Sequence, residues 1–379
     1  MSSFKDKNQI IIMYLVFMLG MMFSIIILNR WLVTDLGLLS FGRLWQLYVS
    51  YADFGFIKRG LLGSLLSESG INSLFSNEYV FAMFIHHISI FILTILIVHY
   101  CSSKNIKNFL FIVGIAFSPT FIIYQGYNTG NSDIFVLLIA LINILYVKNY
   151  IIFSLNIVIG IFLHELFVFT LPAQFFAFYL CNKSYNINFL SFKTIIPAVT
   201  TITAILIILL FGKLDITEIE FKNIMQSKIP NAYMMHSLWS GHWEISSSLG
   251  SHLKSSLTTL LSYFKNGKII FLLPVLSYLT ILTLRVLNYV PNKFNKFIFI
   301  AVIIFPIFVS LLAWDFPRWI AMSANMALLI TLKLVARDGL SHNKWNIIIA
   351  IFCLCAPFGT VVVDQPLPLH QFVLDKLIN

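Results

Sequence analysis

The sequence predicts an all-α polytopic membrane protein, and its composition supplies two reasons. Of the 379 residues, 59% are hydrophobic and only 11% are charged, whereas about 25% of the residues of a typical soluble domain are charged. A water-soluble chain with so little polar surface could not cover its exterior. This composition excludes a large soluble catalytic domain, and residues 1–379 are interpreted as a single integral membrane domain.

Apolar runs separated by polar or charged breaks predict about eleven transmembrane helices, because a spanning helix needs about 20 apolar residues. The first run is long and no small-residue cleavage site follows it, so we interpret it as a span and not as a signal peptide. The predicted spans are Gln9–Leu28, Glu78–Tyr100, Phe109–Tyr124, Ser132–Val147, Ile151–Leu163, Leu166–Cys181, Thr194–Phe211, Ile269–Leu287, Phe297–Ala313, Trp319–Val335 and Trp345–Val363.

The distribution of basic residues predicts that the N-terminus is cytoplasmic and the C-terminus is outside. In this orientation thirteen basic residues are cytoplasmic, and the short outer loops and C-terminal tail contain only Arg318 and Lys376. The remaining ten lie in two long periplasmic loops, residues 29–77 and 212–268. The first loop has alternating apolar and polar stretches that favour interfacial helices. Thirteen of the fifteen acidic residues are also outside, so we expect any chemistry there.

The most unusual polar cluster lies in the first long loop, between residues 51 and 63. It combines Asp53 with the adjacent cations Lys58 and Arg59 and contains three glycines. Adjacent cations can hold a phosphate, and glycine permits close backbone approach to a ligand. The alternative is an interfacial helix whose Lys58 and Arg59 only extend to lipid phosphates.

Two further clusters interrupt apolar runs. Asn131 and Asp133 belong to an amide-rich stretch at the start of the fourth predicted span, where they form a ligand site or cap the helix. His164 and Glu165 join two short spans. Ionisable residues at membrane depth are costly and usually belong to a site or pair with one another. The H-E-x-x-H spacing is absent, so we predict no metal site.

The last candidates are one short outer loop and one segment of the second long loop. Arg318 is the only arginine in a short outer loop, so it either binds an anion or pairs with Asp315. His242, Trp243 and Glu244 combine an aromatic ring with a carboxylate, as sugar-binding sites do, although aromatic residues are common in loops.

A multi-span chain with an acidic residue in a long first outer loop resembles the GT-C superfamily of lipid-linked glycosyltransferases. The resemblance covers the overall topology and extends to Asp53, Asp133 and the His164-Glu165 pair. The chain is also similar to O-antigen and capsular polysaccharide polymerases in its size, its span count and its composition rich in Ile, Phe, Asn and Lys. One feature departs from those polymerases, because their outer loops are often arginine-rich and residues 212–268 contain no arginine.

The resemblance implies a periplasmic-face enzyme of the bacterial inner membrane that joins undecaprenyl-diphosphate-linked repeat units. Cations near the headgroup level would stabilise the leaving diphosphate, and a carboxylate or histidine would deprotonate the acceptor. The expected catalytic residues are Asp53, His164 and Glu165. The expected substrate-binding residues are Lys58, Arg59, Asn131, Asp133, His242, Trp243, Glu244, Asp315 and Arg318.

Two other functions remain open. One is a transferase that moves a single sugar from a polyprenyl-phosphate donor to a lipid-linked glycan. The other is a lipid-linked oligosaccharide flippase, which the nearly charge-free middles of the spans disfavour. The expected partners are the lipid-linked glycan, membrane lipids and a chain-length regulator. We expect no cofactor and no nucleic-acid partner.

The charge asymmetry predicts the result of reporter fusions. Fusions after Lys148 and Lys193 should report a cytoplasmic location, and fusions within residues 212–268 should report a periplasmic one, because short loops rich in Lys and Arg stay inside. Paired alkaline phosphatase and β-galactosidase reporters measure this directly. A cytoplasmic signal from residues 212–268 would reverse the predicted orientation.

Overall fold

The computed structural model describes residues 2–31, 41–75, 77–126, 130–179, 191–230, 234–267, 272–290, 292–311, 316–339 and 344–355. Within these ranges every regular element is an α-helix or a 3-10 helix, and none is a strand. The prediction of an all-α chain is therefore confirmed.

Helices of eight or more residues are numbered in chain order. They are α1 (Ser2–Trp31), α2 (Gly60–Glu68), α3 (Glu78–Ser103), α4 (Phe109–Ala116), α5 (Asp133–Leu145), α6 (Tyr150–Leu163), α7 (Leu171–Tyr179), α8 (Phe192–Phe211), α9 (Glu218–Lys228), α10 (Met234–Ser246), α11 (Leu249–Lys265), α12 (Leu273–Leu287), α13 (Lys293–Ile304), α14 (Phe316–Asp338) and α15 (Lys344–Cys355). Short helices cover Tyr51–Phe54 and Ile122–Gln125, and 3-10 turns cover Phe41–Leu47, Ile71–Leu74, Glu165–Thr170 and Phe305–Leu311.

Five segments of the described chain are long and apolar enough to cross a membrane. They are Asn8–Ile25, Glu78–Ser103, Phe192–Phe211, Lys293–Leu311 and Arg318–Asp338. Shorter apolar helices are Asp133–Leu145, Tyr150–Leu163, Glu165–Tyr179 and Val275–Leu287. These lengths and compositions support a membrane protein.

Two of the predicted spans contain a break next to a proline. Within Phe109–Tyr124, helix α4 ends at Ala116 and a separate helical turn begins at Ile122. Pro119 lies in this break, where it has no N–H to donate and restricts the residue before it. Helix α13 similarly gives way to a 3-10 turn that contains the buried Pro306.

Helix α14 occupies the centre of the bundle. It packs against α5, α7, α12 and α13, and its residues from 318 to 335 are buried. Helix α8 is much less buried than α14. It packs mainly on α6 and exposes Ile202, Leu206 and Leu210. An apolar helix surrounded by other helices forms a core, whereas an apolar surface left exposed on a spanning helix suits contact with lipid.

Buried polar side chains link neighbouring helices of the bundle. Asn143 of α5 donates to the Gln174 side-chain oxygen of α7, and Asn156 of α6 donates to Asn143, each at 2.7 Å. The Lys333 ammonium of α14 donates to the Ile144 carbonyl oxygen at 2.7 Å. Because an unpaired buried polar group is costly, these bonds fix the three-helix contact and the depth of α14.

The two long loops fold together into a helical unit, residues 41–75, 212–230 and 234–267, which we call the cap. It has its own apolar core, in which Trp45 and Leu62 from the first loop pack with Phe221, Leu238 and Ile245 from the second. Helices α2 and α10 both contact the 3-10 turn at Phe41–Leu47. The cap therefore holds distant segments of the chain at one end of the bundle.

The close contact of α2 with the preceding segment generates a stability prediction. Gly63→Ala should lower the melting temperature, because a Cβ at residue 63 would overlap the Val49 carbonyl oxygen and lie 2.9 Å from the Val49 nitrogen. Overpacking of this kind costs about 1–3 kcal/mol. Thermal unfolding in detergent measures the shift.

Gly250→Ala is the matched control for this variant, since Gly250 is also helical and a Cβ there would meet only the Ser248 hydroxyl, at 3.9 Å. Alanine is the better helix former, so the control should melt at or above the wild-type temperature. Equal melting temperatures for the two variants would contradict the packing argument.

Candidate functional site

A cavity of about 440 Å³ lies where the cap meets the bundle. Its wall is built from five separate parts of the cap and bundle and from Arg318 at the start of α14. The lining residues are residue 43, residues 58 and 59, and several residues within each of the ranges 161–169, 205–213 and 243–252. The cavity size falls within the roughly 300–1,000 Å³ that is usual for small-ligand sites.

Arg59 lies at the polar end of the cavity and is buried between two glutamates. Its Nε lies 3.1 and 3.0 Å from the two carboxylate oxygens of Glu165, and its Nη2 donates to Glu165 Oε1 at 2.6 Å. Its Nη1 donates to Glu244 Oε2. Only 6% of Arg59 is exposed, so its charge is balanced by protein groups and not by water. One ion-pair cluster therefore joins the first long loop, the break between α6 and α7, and the second long loop.

The backbone at Arg59 is itself unusual. Arg59 has φ +65°, in the left-handed region that a residue with a Cβ rarely adopts. The preceding N–H, of Lys58, donates to the Gly212 carbonyl oxygen at 2.8 Å, which ties this turn to the end of α8. Strained backbone of this kind is concentrated at functional sites, because surrounding contacts must hold it in place.

Glu244 receives a second guanidinium, since Arg43 Nη2 lies 3.8 Å from its Oε1. Burial alone would raise the pKa of Glu244, but the charges of Arg43 and Arg59 outweigh it and lower the pKa to about 2. The Arg59 guanidinium also lies 5.9 Å from the centre of the Trp45 ring. Gly241 permits this arrangement, because a Cβ there would lie 2.9 Å from the Trp45 ring.

Two lysines line the cavity without a direct ion pair. Lys58 is half-buried and Lys213 is exposed, and neither side chain forms an ion pair or hydrogen bond with the described residues. Burial lowers the pKa of Lys58; the charge of Glu165 opposes that shift, and the neighbouring Arg59 adds to it. These ammonium groups are available to an anionic ligand.

The remainder of the cavity wall is apolar. It is formed by side chains of α6, the following 3-10 turn and the end of α8: Ile161, Leu166, Val168, Phe169, Ile205, Ile208 and Leu209. The site is therefore amphipathic, with cations at one end and hydrocarbon along the wall. A ligand that combines an anionic group with a lipid chain matches both parts.

His164 lies behind this wall and does not line the cavity. It is 1% exposed, its Nδ1 accepts the Leu166 N–H at 3.2 Å, and the same nitrogen lies 3.5 Å from Glu165 Oε2. Since Nδ1 is an acceptor, the proton of the neutral ring is on Nε2. Nε2 has no hydrogen-bond partner among the residues that the structure describes.

Arg318 and Asp133 form a second buried ion pair. Arg318 Nε lies 2.7 Å from Asp133 Oδ2, and Nη2 donates to Oδ1 at 3.4 Å. The guanidinium lies 4.7 Å from the Trp319 ring centre. Asn131 accepts the Asp133 backbone N–H at 3.4 Å, as a residue near a helix start often does. Asp315, the alternative partner, lies outside the described residues.

Five of the expected site residues do not line the cavity: Asp53, Asn131, Asp133, His164 and His242. Asp53 is exposed and accepts hydrogen bonds from the Ser50 hydroxyl and the Lys228 ammonium. His242 Nε2 lies 3.0 Å from the Ile216 carbonyl oxygen, within the cap. The structure thus brings Lys58, Arg59, Glu165, Trp243, Glu244 and Arg318 to the cavity wall, and not Asp53 or His242.

Three charged or titratable residues of the cavity belong to none of the sequence clusters: Arg43, Lys213 and His252. Lys213 had one sequence signal, because it lies two residues after the end of the apolar helix α8. Arg43 and His252 had none, since each is a single polar residue in an ordinary loop or amphipathic pattern. Their common position depends on how the cap packs.

No group of three His, Cys, Asp or Glu side chains in the described part of the chain could hold a metal ion. No protein-family model, curated protein or solved structure matches the chain.

The second ion pair generates a double-mutant prediction. Arg318→Met should destabilise the protein by about 3–5 kcal/mol, because it removes the guanidinium that pairs with the buried Asp133 carboxylate. Adding Asp133→Asn should recover part of the loss. Melting temperatures of the two single variants and the double variant measure the coupling.

Arg337→Met is the control, since Arg337 pairs with Asp338 at a partly exposed position. It should change stability by less than about 1 kcal/mol. Strictly additive losses in the Arg318 and Asp133 variants would show that the pair carries no coupling energy.

Proposed function

We propose that the protein is a glycosyltransferase that polymerises undecaprenyl-diphosphate-linked repeat units at the periplasmic face of the bacterial inner membrane. The observation that carries the proposal is the amphipathic cavity, in which cationic side chains stand at one end of an apolar wall. A polyprenyl diphosphate has the same two parts, an anionic head and a hydrocarbon chain.

The proposal includes eleven spans with the N-terminus inside and the C-terminus outside. All the charged and titratable residues that line the cavity come from parts of the chain that the charge asymmetry assigns to the outer side. They belong to the first long loop, the His164 break, the second long loop and the start of α14. This agreement supports an active site on the periplasmic face, where lipid-linked sugars and not nucleotide-sugars are the donors.

Charge at the cavity suits the departure of a diphosphate. As the bond to the anomeric carbon breaks, negative charge grows on the leaving phosphate, and fixed cations stabilise that charge. Lys58 and Lys213 are the principal candidates, since their ammonium groups have no partner among the described residues. Arg59 is already balanced by Glu165 and Glu244, so its main contribution is to fix the geometry around Lys58.

Deleting the gene tests the proposed function in cells. A polymerase defect should leave surface lipopolysaccharide with a single repeat unit, because units are made and exported but not joined. Gel banding of the lipopolysaccharide measures the result. Long chains lacking one sugar would instead indicate a single-sugar transferase, and the absence of any surface repeat would indicate a flippase.

Complementation of the deletion strain tests the cavity. Lys58→Ala should fail to restore long chains although the protein is made at the wild-type level, because Lys58 has no described protein partner to lose. Lys222→Ala is the control, since Lys222 pairs with Glu218 on the exposed side of α9. Full complementation by Lys58→Ala would contradict the proposal that the diphosphate binds at this end of the cavity.

A further inference from the structure

One residue that lines the cavity, His252, can accept a proton, and binding of the diphosphate does not require this. His252 lies in the first turn of α11, where its backbone N–H donates to the Ser248 carbonyl oxygen at 3.1 Å. Its ring centre lies 4.4 Å from a ring of Trp243, which meets it edge-on at 66°. Neither imidazole nitrogen forms a hydrogen bond with a described residue. His252 therefore lines the cavity beside Trp243 with no hydrogen bond from its ring to the described part of the chain.

We propose that His252 is the general base that accepts the proton of the acceptor sugar hydroxyl. The proposal rests on the proposed transfer reaction and adds the residue that moves its proton. Trp243 beside it offers an aromatic surface for a sugar ring, since aromatic faces pack against apolar ring faces. The acceptor sugar would lie between Trp243 and the anomeric carbon of the donor.

The other titratable residues near the cavity are less suited to this role. Glu165 and Glu244 both accept hydrogen bonds from Arg59, so their oxygens are engaged and their charged forms are stabilised. His164 uses its Nδ1 lone pair to accept the Leu166 N–H, and the nitrogen that remains carries the proton. Asp53 lies outside the cavity wall.

The charges around His252 keep its ring neutral. Burial lowers the pKa of His252, the Lys58 and Arg59 charges lower it further, and the Glu244 and Glu165 carboxylates oppose them. The net shift is downward from the ordinary value of about 6.5. A neutral imidazole is the form that accepts a proton, so His252 is in its active state at neutral pH.

The proposed step is a single displacement. The acceptor hydroxyl oxygen forms the new bond to the donor anomeric carbon, while the bond from that carbon to the diphosphate oxygen breaks and its electron pair leaves with the diphosphate. The hydroxyl proton moves to the His252 ring nitrogen and then passes to water or to the released diphosphate. One displacement inverts the configuration at the anomeric carbon.

Transfer by the full-length protein in proteoliposomes tests the proposal, with lipid-linked repeat units extracted from the deletion strain as the substrate. His252→Gln should lower kcat by about 100-fold or more, the usual contribution of a general base, and change KM much less. The wild-type kcat/KM should fall at acidic pH, below the ordinary pKa of histidine, because His252, whose pKa is lowered, becomes protonated there. His252→Gln should lack this acidic decline.

Imidazole rescue separates a chemical role from a structural one. Added imidazole should restore part of the turnover of His252→Ala, since it replaces the lost base. His99→Gln is the matched control, because His99 lies on α3 stacked on Tyr146 and does not line the cavity. It should retain wild-type kcat.

Several results would overturn the proposal. Wild-type turnover by His252→Gln would exclude the base role. A rise in KM with the acidic decline retained would make His252 a binding residue. If His252→Ala loses activity and imidazole restores none, the residue is structural. If the wild-type protein itself joins no repeat units, the proposed transfer reaction is wrong. The proposed role of His252 in that reaction is then wrong as well.

Discussion

The ion-pair cluster around Arg59 is the constraint on which the site depends. A buried guanidinium that loses its carboxylates costs several kcal/mol, so Arg59 requires both Glu165 and Glu244. These three residues come from the first long loop, the break between α6 and α7, and the second long loop. These contacts tie the cap to the bundle. They also place the three charged groups together at the cavity.

The same cluster decides what the cavity can attract. Five cationic side chains line the wall against two carboxylates, so the polar end keeps an excess of positive charge after Arg59 is balanced. Pairing also immobilises the charges, and fixed charges stabilise a developing anion without first reorganising. The carboxylates thus position the site and leave the ammonium groups of Lys58 and Lys213 for a ligand.

The helix break at His164 connects the cap to the bundle. His164 has an extended backbone, with φ −159°, and its side chain accepts the N–H of Leu166 as a cap. The chain then continues as a 3-10 turn whose apolar side chains form part of the cavity wall. Because this hydrogen bond pairs a backbone N–H that the break would leave free, the His164-Glu165 pair can lie between two apolar segments. Glu165 is thereby directed to Arg59.

The sequence by itself determined the all-α class, the apolar segments and the breaks at charged pairs, because these depend on local composition and period. It also identified Lys58, Arg59, Glu165 and Glu244 as unusual residues. Only the tertiary structure decided that these four meet at one cavity, that Asp53 faces Lys228 instead, and that Arg318 pairs with Asp133. It alone added Arg43, Lys213 and His252. The physical reason is that contacts between residues more than a hundred positions apart depend on how the cap packs, and local pattern carries no record of that packing.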